Sequence, residues 1–219
     1  MTWAKVTWTS AFGRACGVLL DAIVRWLALA RINPNVLTFL GLVVNTIAAC
    51  LFGYANSDNQ ARMFRYAGLV IIGSGFFDLV DGRVARASNQ VTRFGGFFDS
   101  VIDRYSDASQ FFGLLVYYAR ADRFFYVVLT AFVMISAIMV SYSRARAESL
   151  IGSCRVGFME RPERLVLVII GALFNRMAPV LWIIAVFSTI TVIHRIRYTW
   201  TRTEGVEAVA AKTGRRRFA

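Results

Sequence analysis

Histidine occurs once, at His194, and cysteine three times, at Cys16, Cys50 and Cys154, in a chain of 219 residues. These residues lie far apart and show neither metal-ligand spacing nor pairing, so a zinc site and a disulfide framework are excluded, and the cysteines are read as small apolar residues. Acidic residues are also scarce, 13 against 25 basic ones. Polar residues are too few for a soluble domain: 57% of the chain is hydrophobic and the mean hydropathy is +0.54. The uninterrupted apolar core of a secretory signal is missing, as is any internal repeat or room for a second domain.

What is present instead is a series of long, nearly charge-free stretches, the pattern of helices that cross a lipid bilayer. Six are legible, at about 36–54, 67–81, 95–119, 124–142, 165–174 and 178–194. The second and fifth are short and must borrow length from their polar flanks, since a helix rises about 1.5 Å per residue across a core of about 30 Å. With the N-terminus in the cytoplasm, 19 basic residues fall on the inner side and 5 on the outer, with Arg104 inside a span. That bias predicts a multi-pass protein of the cell membrane with both termini cytoplasmic. It also accounts for the net charge of +12 through attraction to anionic lipid headgroups, without nucleic acid as a partner.

The expected organisation is all-α. Residues 1–33 mix apolar side chains with spaced charges at Arg14, Asp21, Arg25 and Arg31, bounded by Trp8 and Trp26, and read as an amphipathic helix lying in the interface. Residues 34–200 form a bundle of six transmembrane helices. Residues 201–219, ending near Arg215, Arg216 and Arg217, read as a basic cytoplasmic tail, mobile on the membrane surface.

Five of the 13 acidic residues, Asp78, Asp81, Asp99, Asp103 and Asp107, interrupt the apolar background within about 30 residues. A carboxylate at the bilayer centre costs roughly 2.5 to 3.5 kcal/mol on insertion scales, so the cluster demands a compensating partner. Asp78 and Asp81 are three apart at the end of one span, and Asp99 and Asp103 four apart at the start of the next, so each pair shares a helical face. The short connection between the spans puts both pairs on the cytoplasmic side. Four carboxylates with no histidine or cysteine nearby favour one or two Mg²⁺ or Mn²⁺ ions, which suit a phosphate-bearing substrate. Gly82, Ala85, Gly95 and Gly96 permit close approach, and Arg86 supplies a cationic fork for phosphate.

Asp78-Leu-Val-Asp81-Gly82-Arg-Val-Ala85-Arg86, followed by Gly95, Asp99 and Asp103, resembles the signature of the CDP-alcohol phosphotransferase family (class I CDP-alcohol phosphatidyltransferases) at all eight of its specified positions. The resemblance implies a six-helix membrane enzyme, usually a homodimer, in which Asp78, Asp81, Asp99 and Asp103 hold metal. Asp103 would also be the base, taking the proton of an acceptor hydroxyl that attacks the β-phosphate of CDP-diacylglycerol and releases CMP. It further assigns CDP contacts to Gly82, Arg86 and Thr92 and, from the stretch 34–41, to Asn35, Val36, Leu37 and Thr38.

The acceptor is read from basic residues elsewhere. Convergence of Arg144, Arg164 and Arg195 beside the aspartates would make a pocket for an anionic alcohol. These segments are similar to those of bacterial phosphatidylinositol phosphate synthases, apart from arginine at position 144 where lysine is usual, which implies inositol phosphate as acceptor. Glycerol 3-phosphate, as in a phosphatidylglycerophosphate synthase, is the alternative. The competing use of these arginines is simple attraction to anionic lipid. Asp107 extends the aspartate stripe but lies outside the signature and reads as a supporting polar residue; His194 reads as interfacial. A cation transporter would also bury carboxylates, but it predicts charges spread over two related halves.

Overall fold

The computed structural model describes the backbone of residues 33–216 and the side chains of 33–204. Within that range six α-helices follow one another: α1 (Pro34–Tyr54), α2 (Gln60–Ala87), α3 (Arg93–Arg120), α4 (Phe124–Ile151), α5 (Arg161–Leu173) and α6 (Met177–Arg216). The interfacial helix expected over 1–33 lies outside the described residues, except for Asn33.

Number and order of helices follow the sequence expectation. Among the described residues four are long and apolar enough to cross a membrane: α1, α2, α4 and the Met177–Glu204 part of α6. The α2 helix does so by taking in its polar flank from Gln60. The other two are not long and apolar enough by that measure. Helix α5 has 13 residues, about 20 Å of rise, and α3 carries Arg93, Asp99, Asp103, Arg104, Asp107 and Arg120 along its length. The chain is thus a multi-pass membrane protein. At the C-terminal end α6 continues to Arg216, through residues of the basic tail. No proline occurs in 201–216, and 206–211 are Val-Glu-Ala-Val-Ala-Ala, rich in helix formers.

Local chemistry sets the helix boundaries. Asn33 accepts the Asn35 N–H at 3.0 Å, capping α1, with Pro34 at its first position. Asn89, Asp122 and Asn175 adopt φ of 55°, 52° and 54°, the left-handed conformation that closes α2, α3 and α5. After each, the next backbone N–H reaches five residues back: Gln90 to Ala85, Arg123 to Tyr118, Arg176 to Gly171. Helix α5 opens on a reciprocal capping box between Glu160 and Glu163, with Pro162 in its first turn.

Backbone contacts divide the chain into two compact units, Met1–Asn45 with Ile72–Ser106 and Thr46–Ile71 with Asp107–Ala219. In the first, α1 and α2 are tied by a buried polar link. The Asn45 amide donates to the Gly41 carbonyl at 3.1 Å and to the Ser74 hydroxyl, which lies 3.3 Å from the same carbonyl. Such bonds between apolar helices replace water that the bilayer does not supply.

The second unit holds the main apolar core, centred on Phe52, Phe64, Ile71, Leu114, Leu181 and Ile184. Phe64 meets Phe52 and Tyr117 edge to face, at centroid distances of 5.0 and 4.9 Å. Gly113 lies against the Ala49 backbone, so close that any Cβ there would overlap it. Small residues at such crossings let membrane helices approach. Phe132, Ile135, Ile190 and Ile193 remain exposed, as lipid-facing side chains do.

Candidate active site

The first unit contains a cavity of about 280 Å³ formed by the start of α1, the end of α2, the connection 88–92 and the start of α3. Pro34, Asn35, Thr38, Asp81, Gly82, Ala85, Arg86, Gln90, Val91, Thr92, Gly95, Gly96 and Asp99 line it. Most follow from helical geometry. Pro34 and Thr38 are one turn apart on α1, while Asp81, Gly82, Ala85 and Arg86 are spaced three and four along α2.

The cavity brings together the residues to which nucleotide contacts were assigned, except Val36 and Leu37. Neither of those lines it: on a helix beginning at Pro34 they fall on other faces, Val36 exposed and Leu37 buried. Gln90 and Val91 line it without having been singled out. Nothing marks them in the sequence, since the φ of Asn89 and the cap that follows set the path of their backbone.

Two threonines hold the cavity's shape as well as lining it. The Thr38 hydroxyl donates to Asp81 Oδ2 at 2.7 Å, with the Pro34 carbonyl as a more distant acceptor at 3.2 Å. Thr92 Oγ accepts the Gly95 N–H at 2.9 Å, which makes it the N-cap of α3. Space at Gly95 is tight, since a Cβ there would sit 3.0 Å from Thr92 Oγ and 3.4 Å from Asn35 Oδ1. The Arg86 guanidinium lies along Gly82, its Nη1 3.7 Å from where a Cβ would be.

Asp81 is the most enclosed of the aspartates, 6% exposed. Its Oδ1 accepts the Gly82 N–H at 2.5 Å and its Oδ2 the Thr38 hydroxyl. Asp99 and Asp78 lie near enough for their charges to act on it, and Asp78 Oδ1 faces Gly41 across α1. Asp103 is one turn beyond Asp99 on α3. Asp78 and Asp103 do not line the cavity. Among the described residues no three carboxylate, histidine or cysteine side chains already form a metal cage. The donors nonetheless fit Mg²⁺ or Mn²⁺ in kind: oxygen only, with two carboxylates on one cavity and a third in electrostatic range.

The arginines assigned to the acceptor all fall in the second unit and divide into two groups. Arg144 and Arg195 converge on Glu160, with Arg144 Nη1 3.0 Å and Arg195 Nη2 2.9 Å from its Oε1. Arg195 is 1% exposed, and it also donates to the carbonyls of Val156 at 2.8 Å and Val140 at 2.5 Å. Arg144 makes a second pair with Glu148 at 3.0 Å. Arg164 instead bonds Asp107, Nη2 to Oδ2 at 2.6 Å. Sequence reasoning did not single out Glu160 as their hub, and His194 is exposed.

Residues 31–194 match the family model for CDP-alcohol phosphatidyltransferase. The chain belongs to the CDP-alcohol phosphatidyltransferase family and is an enzyme of that class. It is similar to the archaetidylinositol phosphate synthase of Pyrococcus horikoshii, with 38% identity over 179 residues, 81% of this chain and 88% of that one. Among solved structures it is similar to the phosphatidylinositol phosphate synthase of Mycobacterium tuberculosis with CDP-DAG bound, at a TM-score of 0.75 and 31% identity, covering 83% of this chain and 94% of that one. The same synthase in complex with manganese and citrate matches at a TM-score of 0.73 and 32% identity, covering 83% and 89%.

Proposed function

We propose that this enzyme transfers the phosphatidyl group of CDP-diacylglycerol to the hydroxyl of inositol phosphate, forming phosphatidylinositol phosphate and releasing CMP. The observation that carries this reading is the cavity of the first unit. It gathers Asn35, Thr38, Gly82, Arg86 and Thr92, fit for a nucleotide diphosphate, with Asp81 and Asp99. The inositol phosphate acceptor is supported by the named relatives and by the buried arginines of the second unit.

Asp78, Asp81, Asp99 and Asp103 would hold one or two Mg²⁺ or Mn²⁺ ions, which supply neutralising charge to the phosphates when bound. Thr38 and the Gly82 N–H fix the Asp81 carboxylate. Arg86 offers its N–H groups to the diphosphate, and the lack of side chains at Gly82 and Gly95 leaves room for the cytidine. Asp103 takes the proton of the acceptor hydroxyl, whose oxygen then bonds the β-phosphorus as its bond to CMP breaks. Arg144, Arg164 and Arg195 hold the acceptor's phosphate. The active site and both termini face the cytoplasm, supported by the basic residues of the inner side, and the enzyme works as a homodimer, as the family resemblance implies.

The test is CMP release by purified protein in detergent. CDP-diacylglycerol or its ether-linked counterpart is supplied with Mg²⁺ and one of inositol phosphate, glycerol 3-phosphate, free inositol or serine. Turnover confined to inositol phosphate, lost on chelation and restored by Mg²⁺ or Mn²⁺, is the expected result. Turnover with glycerol 3-phosphate alone would overturn the acceptor assignment, and ion flux without CMP release the whole reading.

A further inference from the structure

Arg164 stands at the amino end of α5 and is 2% exposed. Asp107 Oδ2 holds its Nη2 at 2.6 Å, and Arg161 Nε lies 3.5 Å from the other oxygen of the same carboxylate. The remaining Arg164 nitrogens, Nε and Nη1, are buried with no hydrogen-bond partner in the protein. Buried guanidinium donors are rarely left unmet, because nothing then repays the water they lost. A phosphate group has the charge and the several acceptor oxygens to satisfy them, and the positive end of the α5 dipole adds to the attraction.

Asp107 therefore does more than neutralise. Its carboxylate occupies one nitrogen and fixes the plane of the guanidinium, which decides where the other two point. We propose that Asp107 is a positioning residue for the acceptor: it holds Arg164 so that Nε and Nη1 are presented to the phosphate of the anionic alcohol. The inference rests on the proposed role of Arg164 in acceptor binding. It adds a residue outside the eight-position signature.

The experiment uses the full-length protein in detergent with Asp107→Asn and Asp107→Glu. Steady-state KM is measured for acceptor and for CDP-lipid, and thermal melts are recorded with and without inorganic phosphate. Asp107→Asn is expected to raise the acceptor KM about tenfold, the effect of losing one charge-assisted hydrogen bond, and to leave the CDP-lipid KM within about twofold. It should also abolish the stabilisation by phosphate that the wild-type protein shows, with Asp107→Glu recovering part of both.

A pair that only ties α3 to α5 would lower melting temperature and maximal rate while sparing the phosphate response. An unchanged response in Asp107→Asn, equal rises in both KM values, or a wild-type protein indifferent to phosphate would each overturn the proposal. Should Asp107→Asn not fold, Arg164→Lys takes its place: loss of the phosphate shift supports the proposal and its retention sinks it. An Asp107-dependent phosphate shift without inositol phosphate turnover would overturn the substrate assignment and leave the positioning role standing.

Discussion

In the unit that joins the start of α1 to Ile72–Ser106, Asp81 and Asp99 line one cavity and Asp78 adds its charge from nearby. In the unit of Thr46–Ile71 with Asp107–Ala219, opposite charges meet: Arg144 and Arg195 on Glu160, Arg164 on Asp107. Gathering like charges in an apolar setting costs stability and is tolerated where a ligand offsets it. Matched charges can also serve the fold alone, and breaking a buried pair leaves an uncompensated charge behind. Substitutions in the first unit should therefore strike chemistry, and those in the second should strike stability and acceptor affinity together.

The sharpest test of that contrast is Asp103→Asn. Turnover should fall about 10³-fold or more while CDP-lipid binding and melting temperature stay near wild type; retained turnover would remove Asp103 as base. In the second unit, Arg195→Ala leaves Glu160 with one fewer partner and empties a buried site. A loss of about 1–3 kcal/mol in unfolding free energy is expected, since Glu160 is part-exposed and keeps Arg144, with a larger rise in acceptor KM than in CDP-lipid KM. An unchanged denaturation midpoint would show that the Glu160 hub does not hold the fold.

Gly113→Leu probes the same unit without touching charge. Its side chain would meet the Ala49 backbone, and a cost of about 1–3 kcal/mol or more should appear in thermal melts, with the CDP-lipid KM of the remaining folded enzyme unaltered. The mildest effect belongs to Thr92→Ala, which removes the α3 cap at about 1 kcal/mol. Because Thr92 also lines the cavity, CDP-lipid KM should rise alongside. A stability loss with no change in that KM would confine Thr92 to capping.

Much of the first unit was legible because its chemistry is local. Asp78 to Arg86 is one stretch of helix, and spacings of three and four residues place side chains on a face before any tertiary contact is known. The limits are local too: a register beginning at Pro34 turns Val36 and Leu37 from the cavity, although the stretch 34–41 reads as a unit. Helix boundaries were less legible. The apolar run 165–174 does not show where its helix begins, whereas the capping box at Glu160 and the left-handed Asn175 set α5 at 13 residues.

Composition and spacing alone determined the membrane class, the order of six helices and the family signature, since each is written in residues a few positions apart. Which arginine faces which carboxylate was decided only by tertiary structure. Arg164 and Asp107 are 57 residues apart, Arg195 and Glu160 35, and Thr38 and Asp81 43. The physical reason is that a charge in an apolar interior takes whatever partner helix packing brings within about 3 Å, and packing depends on side chains throughout the bundle.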